Sequence, residues 1–422
     1  MKVIALGGAG EMGQWAARTV LDDPRVSELV VADMNGQAAA AVAARLGSRA
    51  RAVALDVQDT SALRRLLSGA AVLMNSVGPF FRFGVPILQT AMDAGCHYVD
   101  ICDDWEPTLD MLALDRAAHQ AGILAIVGLG ASPGLSNLAA VKAAAALDSV
   151  HSVYTAWSLD GAAVGVGAGM PGSIRRHGPS AATVHGVHQM TGRIRARANG
   201  QDTDLPPLQA MVIDYPGLGP RKVWTIGHPE AVTLPLHLGT GLQTCANVMF
   251  AGKPSVAAVK LMMAAVDHGW LSAHRCAQWL ERLAALSPPD LPQPWAAASR
   301  DLRLGGLPPL FALAVGQHAG RPASAAVAFT SGPLGGMGAV TGIPLALGAS
   351  LIMDRLCAQP TGWRAGVYSP ETLIKPEELF TRLLPYCSPR PASIDDLAML
   401  TTSWQSEPLP DAIQRVRRGC MP

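Results

Sequence analysis

The residues best spaced for chemistry stand at the start of the chain. Gly8-Ala9-Gly10-Glu11-Met12-Gly13 is G-x-G-x-x-G; it follows the apolar run Val3–Leu6 and opens a helical pattern. In a chain with 43 glycines the pattern alone says little, and its place between strand and helix is what gives it weight. There each glycine has a use: Gly8 for a tight turn, Gly10 so that the backbone can approach a pyrophosphate, Gly13 for close packing of helix on strand. The first helical residues, Glu11 and Met12, bring N–H groups and a partial positive charge to the same anion. Asp33 stands 20 residues after Gly13, at the end of the second apolar run, where an acid takes both ribose hydroxyls of a dinucleotide. A carboxylate there repels a 2′-phosphate, and Met34 and Asn35 bring no cation to hold one. The spacing therefore predicts a nicotinamide cofactor, NAD or NADP, with NAD favoured. Two further strand ends face the same crevice. Asp56-Val57 is placed for the adenine, and Asn75 with Val77-Gly78-Pro79 lies towards the nicotinamide.

The elements that must position these residues follow from periodicity. Apolar runs at Val3–Leu6, Leu29–Ala32, Ala52–Leu55, Val72–Ser76, Tyr98–Ile101 and Leu124–Val127 lack polar alternation, as strands buried on both faces do. Helical patterns fill the gaps at Glu11–Leu21, Gly36–Leu46, Thr60–Leu67, Val85–Ala94 and Pro107–Ala121. This rhythm predicts an α/β fold: a doubly wound Rossmann domain over residues 1–134. After Ser132 the rhythm changes to strand runs at His151–Leu159 and Val223–Ile226, helical patterns at Ser255–His268 and Ala273–Leu286, and a hairpin over Leu310–Phe329 turning at Ala319-Gly320. Residues 135–334 are expected to form a second, α+β domain with a mainly antiparallel sheet, for substrate binding and dimerisation. The Gly-rich stretch Asp160–Gly178 reads as a loop. A helix near Ile343–Leu356 within 335–385 returns to complete the first domain, and 386–422 is a polar, Pro-rich tail.

With these residues in hand, the sequence resembles the saccharopine dehydrogenase-like oxidoreductases, a broad group with lysine 6-dehydrogenase and carboxynorspermidine dehydrogenase among its members. The matching stretches include "GGAGEMG", "VVADMN", "NSVGPFFRFGVPILQTAMDAGCHYVDICDDWEPTLDM", "GLGASPGLSNLAA", "VHQMTGRI", "DYPGLGPRKVWTIGHPEAVTLP" and "VTGIPLALGA". They cover the chain from its start to about residue 350. The resemblance implies a homodimeric two-domain enzyme, with the second domain over the nicotinamide. Its reaction would be hydride transfer to or from the C–N bond of an amino acid, opine or polyamine. Lipid-linked members of the group resemble enoyl reductases, so a trans-acting enoyl reductase is the alternative reaction. A non-catalytic NAD-binding scaffold is the alternative outside enzymes.

Hydride transfer from an amine carbon needs a neutral nitrogen and an anion near the iminium that forms. Asp100, Asp103 and Asp104 crowd the end of the fifth strand, and three carboxylates that close raise the pKa of at least one. Asp103 is the candidate base. Asp104 and Trp105 are candidates for the substrate wall, with capping of the next helix as the ordinary alternative. Ser132-Pro133-Gly134 opens a helix whose N–H groups suit a substrate carboxylate; a Ser132 cap with Pro133 at the first helical position serves the helix equally well. His185, His188 and His228 lie in the family-like stretches and titrate near neutrality. His188 and His228 are catalytic candidates and His185 a substrate contact. Arg82, in the block near the nicotinamide strand, is the candidate fork for a substrate carboxylate.

Composition narrows the rest. A net charge of +1 over 422 residues gives no field for nucleic acid, so a small-molecule substrate is the expected partner. The seven cysteines form no C-x-x-C pair, and His185 with His188 lacks a third ligand pattern, so no metal is assigned. The chain opens directly on a strand with no signal-like segment, which predicts the cytoplasm. Pro322–Met353 carries no charge, but its glycines and its prolines at 322, 333 and 344 are expected to break any continuous apolar helix, so no membrane span is assigned.

Overall fold

The computed structural model describes residues 1–159, 179, 181–251, 253–285, 306–358 and 364–404. They divide into two units: 1–134 with 337–373, and 135–336 with 374 onwards. The expected loop Asp160–Gly178 lies outside the described residues.

The first unit is built on a wholly parallel sheet. β1 (Lys2–Leu6), β2 (Glu28–Asp33), β3 (Ala50–Ala54), β4 (Val72–Asn75), β5 (His97–Asp100) and β6 (Leu124–Ile126) lie in the order 3-2-1-4-5-6. The order reverses between β1 and β4, and in such sheets the ligand crevice opens at that point. The helices are α1 (Glu11–Val20), α2 (Gly36–Leu46), α3 (Thr60–Leu67), α4 (Phe80–Asp93), α5 (Trp105–Leu112) and α6 (Asp115–Ala121). This is the doubly wound architecture that the strand–helix rhythm predicts.

Three details depart from the expectation. A seventh strand, Gly366–Tyr368, extends the sheet beside β6 and comes from the returning segment. The single helix expected over Pro107–Ala121 is two, because the ladder tightens at Leu114 and restarts at Asp115. The carboxylate of Asp115 accepts from the Val367 N–H, which ties the new helix to that seventh strand. The returning segment is also narrower than 335–385: it spans 337–373.

The uncharged stretch was expected to be broken by glycine and proline. Instead Gly336–Cys357 is one unbroken helix with Pro344 inside it. By length and composition it could cross a membrane, and 78% of its apolar window is buried in the protein. Proline removes one donor from the ladder, and burial of the surrounding Leu345, Ala346, Leu351 and Ile352 holds the helix regardless. Its glycines allow close approach. A Cβ on Gly342 would sit 2.3 Å from the Met12 carbonyl oxygen, and one on Gly338 would sit 2.8 Å from Glu11 Cγ. The helix thus lies backbone-close against the start of α1.

The second unit is a mixed, mostly antiparallel sheet. Its order runs Ala210–Tyr215, Gly219–Ile226, Thr244–Phe250, Ser149–Ser158, Leu310–His318, Arg321–Phe329, Ala398–Thr402. Only Ser149–Ser158 with Thr244–Phe250 is parallel along this path. The hairpin turns at Ala319-Gly320, where it was expected to, with both residues at positive φ. The stretch read as a tail supplies a strand: Ala398–Thr402 pairs with Arg321–Phe329. α7 (Leu135–Ala144) covers the central strands, and all but two of its residues are buried.

Candidate functional site

The glycine loop is held from three sides within the first unit. Gly7 N–H and Gly8 N–H both donate to the Ala32 carbonyl at the end of β2, at 2.9 and 3.2 Å. Ser76, at the end of β4, donates its hydroxyl to the Leu6 and Gly7 carbonyls at 3.0 and 3.2 Å. Ala9 N–H donates to Asp33 Oδ2 at 3.1 Å. The tight turn belongs to Gly7, with φ +72°, and not to Gly8 as the motif predicts. Gly8 serves packing, since a Cβ there would lie 2.7 Å from the Ala5 carbonyl oxygen. On Gly13 a Cβ would lie 2.2 Å from the Gly7 carbonyl oxygen, so α1 can approach the loop only with glycine at that position. Gly10 is the N-cap of α1 and places no side chain over its first turn. Glu11 and Met12 follow in that turn, half-buried. The cradle fits a pyrophosphate: extended backbone, a helix N-terminus and no Cβ at the point of approach.

Asp33 does two jobs. Its second oxygen accepts from Asn35 N–H at 3.0 Å, so the carboxylate fixes both the loop and the start of α2. At the next strand end, exposed Asp56 accepts from Gln58 N–H at 2.9 Å, and half-buried Val57 packs on the core. Arg82 is exposed, stands over the Phe83 ring and donates to Gln58 Oε1 at 2.8 Å. Its guanidinium is therefore drawn to the loop after β3, the adenosine edge.

Asn75 is also reassigned. It is fully buried; its Oδ1 accepts from Val77 N–H at 3.0 Å and its Nδ2 donates to the Tyr98 hydroxyl at 2.9 Å. Tyr98 in turn donates to Asp100 Oδ2 at 2.7 Å, and Asp100 Oδ1 accepts from the N–H groups of Cys102 (3.0 Å) and Gly128 (2.7 Å). One buried chain of hydrogen bonds thus sets the loops after β4, β5 and β6. Asn75 shapes the loop from below, while Val77, Gly78 and Pro79 remain half-buried above it. Burial pushes the Asp100 carboxyl up to about 6. Asp100, one of the three crowded carboxylates, is sealed in the fold.

Asp103, Asp104 and Trp105 are half-buried at the end of β5. α5 begins at Trp105, with Asp104 at its N-cap, yet no side-chain cap bond forms there. The Asp104 carbonyl accepts the Thr108 hydroxyl instead, at 2.7 Å. The next helix starts at Leu135, three residues after Ser132, and the Ser132–Pro133 peptide is cis. Gly134, at φ +119°, closes this loop on itself; a Cβ there would lie 2.3 Å from the Gly130 carbonyl oxygen.

In the second unit, His185 and His188 lie on the helix Ala181–His188; His185 is buried and His188 exposed. Gly227 N–H donates to the Gln189 carbonyl at 2.8 Å, which pins the loop carrying His228 to the end of that helix. His228 is buried, with Trp157 edge-on at 6.5 Å. Its Nδ1 lies 2.8 Å from Glu230 Oε2, and Ser136 donates to Glu230 Oε1 at 2.5 Å. Glu230 and Ser136 escape a reading of the sequence. The one signal for Glu230 is its place two residues after His228, at a helix start.

Residues 3–126 match the family described as the saccharopine dehydrogenase NADP binding domain. A probable mitochondrial saccharopine dehydrogenase-like oxidoreductase from Arabidopsis thaliana is 30% identical over 116 residues, which is 25% of this chain and 26% of that protein. The alignment thus spans about a quarter of that relative's length. Among solved structures, saccharopine dehydrogenase (L-Glu forming) from Saccharomyces cerevisiae superposes with a TM-score of 0.57 at 15% identity, over 95% of this chain and 99% of that one. That likeness is one of fold.

Proposed function

We propose, from the match of residues 3–126 to the saccharopine dehydrogenase NADP binding domain, that this chain is a saccharopine dehydrogenase-like oxidoreductase that moves a hydride between a nicotinamide dinucleotide and the carbon of a C–N bond in a small amine or amino acid. The observation that carries the proposal is the Gly7–Gly13 loop, braced by Asp33 and Ser76 and open over the first turn of α1. When bound, the nicotinamide supplies or accepts the hydride at C4. In the oxidising direction the C–H bond breaks with its electron pair, the nitrogen lone pair forms the C=N bond, and an ammonium proton must leave beforehand. Asp103 and Asp104 offer carboxylates to the developing iminium charge. His228, held by a carboxylate, is the group best built to carry the proton. In reduction the same groups return it.

NAD is the favoured cofactor on the chain's own residues. Asp33 and Asp56 end neighbouring strands, and Met34 and Asn35 bring no charge to a 2′-phosphate. Most of the uncharged stretch behind the enoyl reductase alternative is buried in strand and helix, with Leu334 its one large exposed apolar side chain.

Titration of the purified chain with NADH and NADPH, followed by nicotinamide fluorescence, tests the cofactor reading. NADH should bind at least about tenfold more tightly, and Asp33→Ser should narrow the gap. The reverse preference would overturn the role given to Asp33, and binding of neither would overturn the proposal itself. A panel of amines, amino acids and opines, read by nicotinamide absorbance, then tests the reaction.

A further inference from the structure

We infer that Glu230 is the residue that positions His228 for proton exchange, with Ser136 anchoring Glu230. The inference rests on the amine/imine reading of the function. Glu230 has no exposed surface, and its two oxygens divide between Ser136 Oγ and His228 Nδ1. A carboxylate only accepts, so Nδ1 carries the hydrogen in this pair and exchange falls to Nε2.

The surroundings hold the carboxylate rather than the ring. Glu230 opens the helix Glu230–Leu238, where the helix dipole favours negative charge. The next residue's N–H donates to Asn247 Oδ1 at 3.0 Å, and Asn137 Nδ2 donates to the Thr233 hydroxyl at 3.2 Å. Ser136 and Asn137, in the first turn of α7, thus join the same helix at two successive rungs. Cys245 donates its thiol to the Glu230 backbone carbonyl at 3.7 Å.

Stability alone is a poor reason for such a group. A buried carboxylate costs more to desolvate than a well-packed apolar side chain, and buried ion pairs contribute little net stability. A glutamate that fixes the tautomer and raises the basicity of a working imidazole has a reason to be there, as the orienting carboxylates of acid–base pairs do.

The test uses the full chain and Glu230→Gln, which keeps the side-chain shape but carries no charge. Histidine-labelled NMR, with His228→Gln to assign the signal, reads the ring directly. In the unaltered protein His228 should show the Nδ1–H tautomer, and Glu230→Gln should lower its pKa by about one unit or more. Turnover in amine oxidation should fall about 100-fold and the acidic limb of the pH–rate profile should move to lower pH, while NADH affinity stays within about twofold. Ser136→Ala should give a smaller loss in the same direction, and it stands in if the glutamine variant does not fold. Unchanged His228 titration, or turnover lost with no movement of the pH profile, would overturn the inference. If no amine or imine turns over in any variant, the functional reading fails, and the His228 titration still decides whether Glu230 holds that ring.

Discussion

At the scale of single residues, the buried run Asn75–Tyr98–Asp100 makes the most specific demand. Burial raises the Asp100 pKa from 3.8 to about 6, so the folded state holds its proton more tightly than the unfolded chain does. The stability this contributes is complete below the unfolded value and is lost as pH rises through about 6. The loss is on the order of 3 kcal/mol. Asp100→Asn cannot titrate. It should melt below the unaltered protein at pH ~4, and the gap should narrow as pH rises to ~7; a gap constant across that range would contradict the assignment. The place of Asp33 at the end of β2, beside the glycine loop, was legible because it depends on spacing along one strand–helix–strand unit. Asn75 was misplaced because a polar residue at a strand end reads the same whether it faces the crevice or the core. Glu230 was missed because its anchor, Ser136, is 94 residues away in sequence.

At the scale of elements, the helix Gly336–Cys357 controls the cofactor loop from behind. Its glycines were read as breakers; they are the contact surface. Methyl-sized additions to so close an approach cost roughly 1–3 kcal/mol by overpacking. Gly342→Ala should therefore destabilise the chain in urea melts and weaken NADH binding, because the displaced atom is the Met12 carbonyl in the first turn of α1. Gly186→Ala is the control, since a Cβ there meets open space. Equal effects from the two would show that helix contact has no bearing on the loop. Periodicity located the strands and most helices, because both depend on local burial pattern. It could not show that one apolar helix would seat against α1, since that contact joins residues more than 300 apart.

At the scale of the whole molecule, the first unit is discontinuous. Residues 1–134 hold six strands and the cofactor loop, yet the sheet edge beside β6 is covered by Gly366–Tyr368 from the returning segment. A chain ending at Gly134 should therefore be soluble only poorly and should bind NADH weakly or not at all; full-affinity binding by that piece would contradict this. The change of rhythm after Ser132 made the departure of the chain readable, while the return to the first sheet left only a helical pattern as its trace. The strand made from the supposed tail left none, because five residues of mixed polarity carry little periodic signal.

The discontinuity also has a consequence for how the protein is made. The ribosome delivers residue 134 long before residue 373, about 240 residues later. At roughly 5–20 residues per second that interval is on the order of 10–50 s. Throughout it, the nascent nucleotide unit waits with an unpaired parallel edge and an apolar groove that its own later helix will fill. Chaperone capture of translating ribosomes should accordingly concentrate in this window and fall once the segment through Leu373 has emerged.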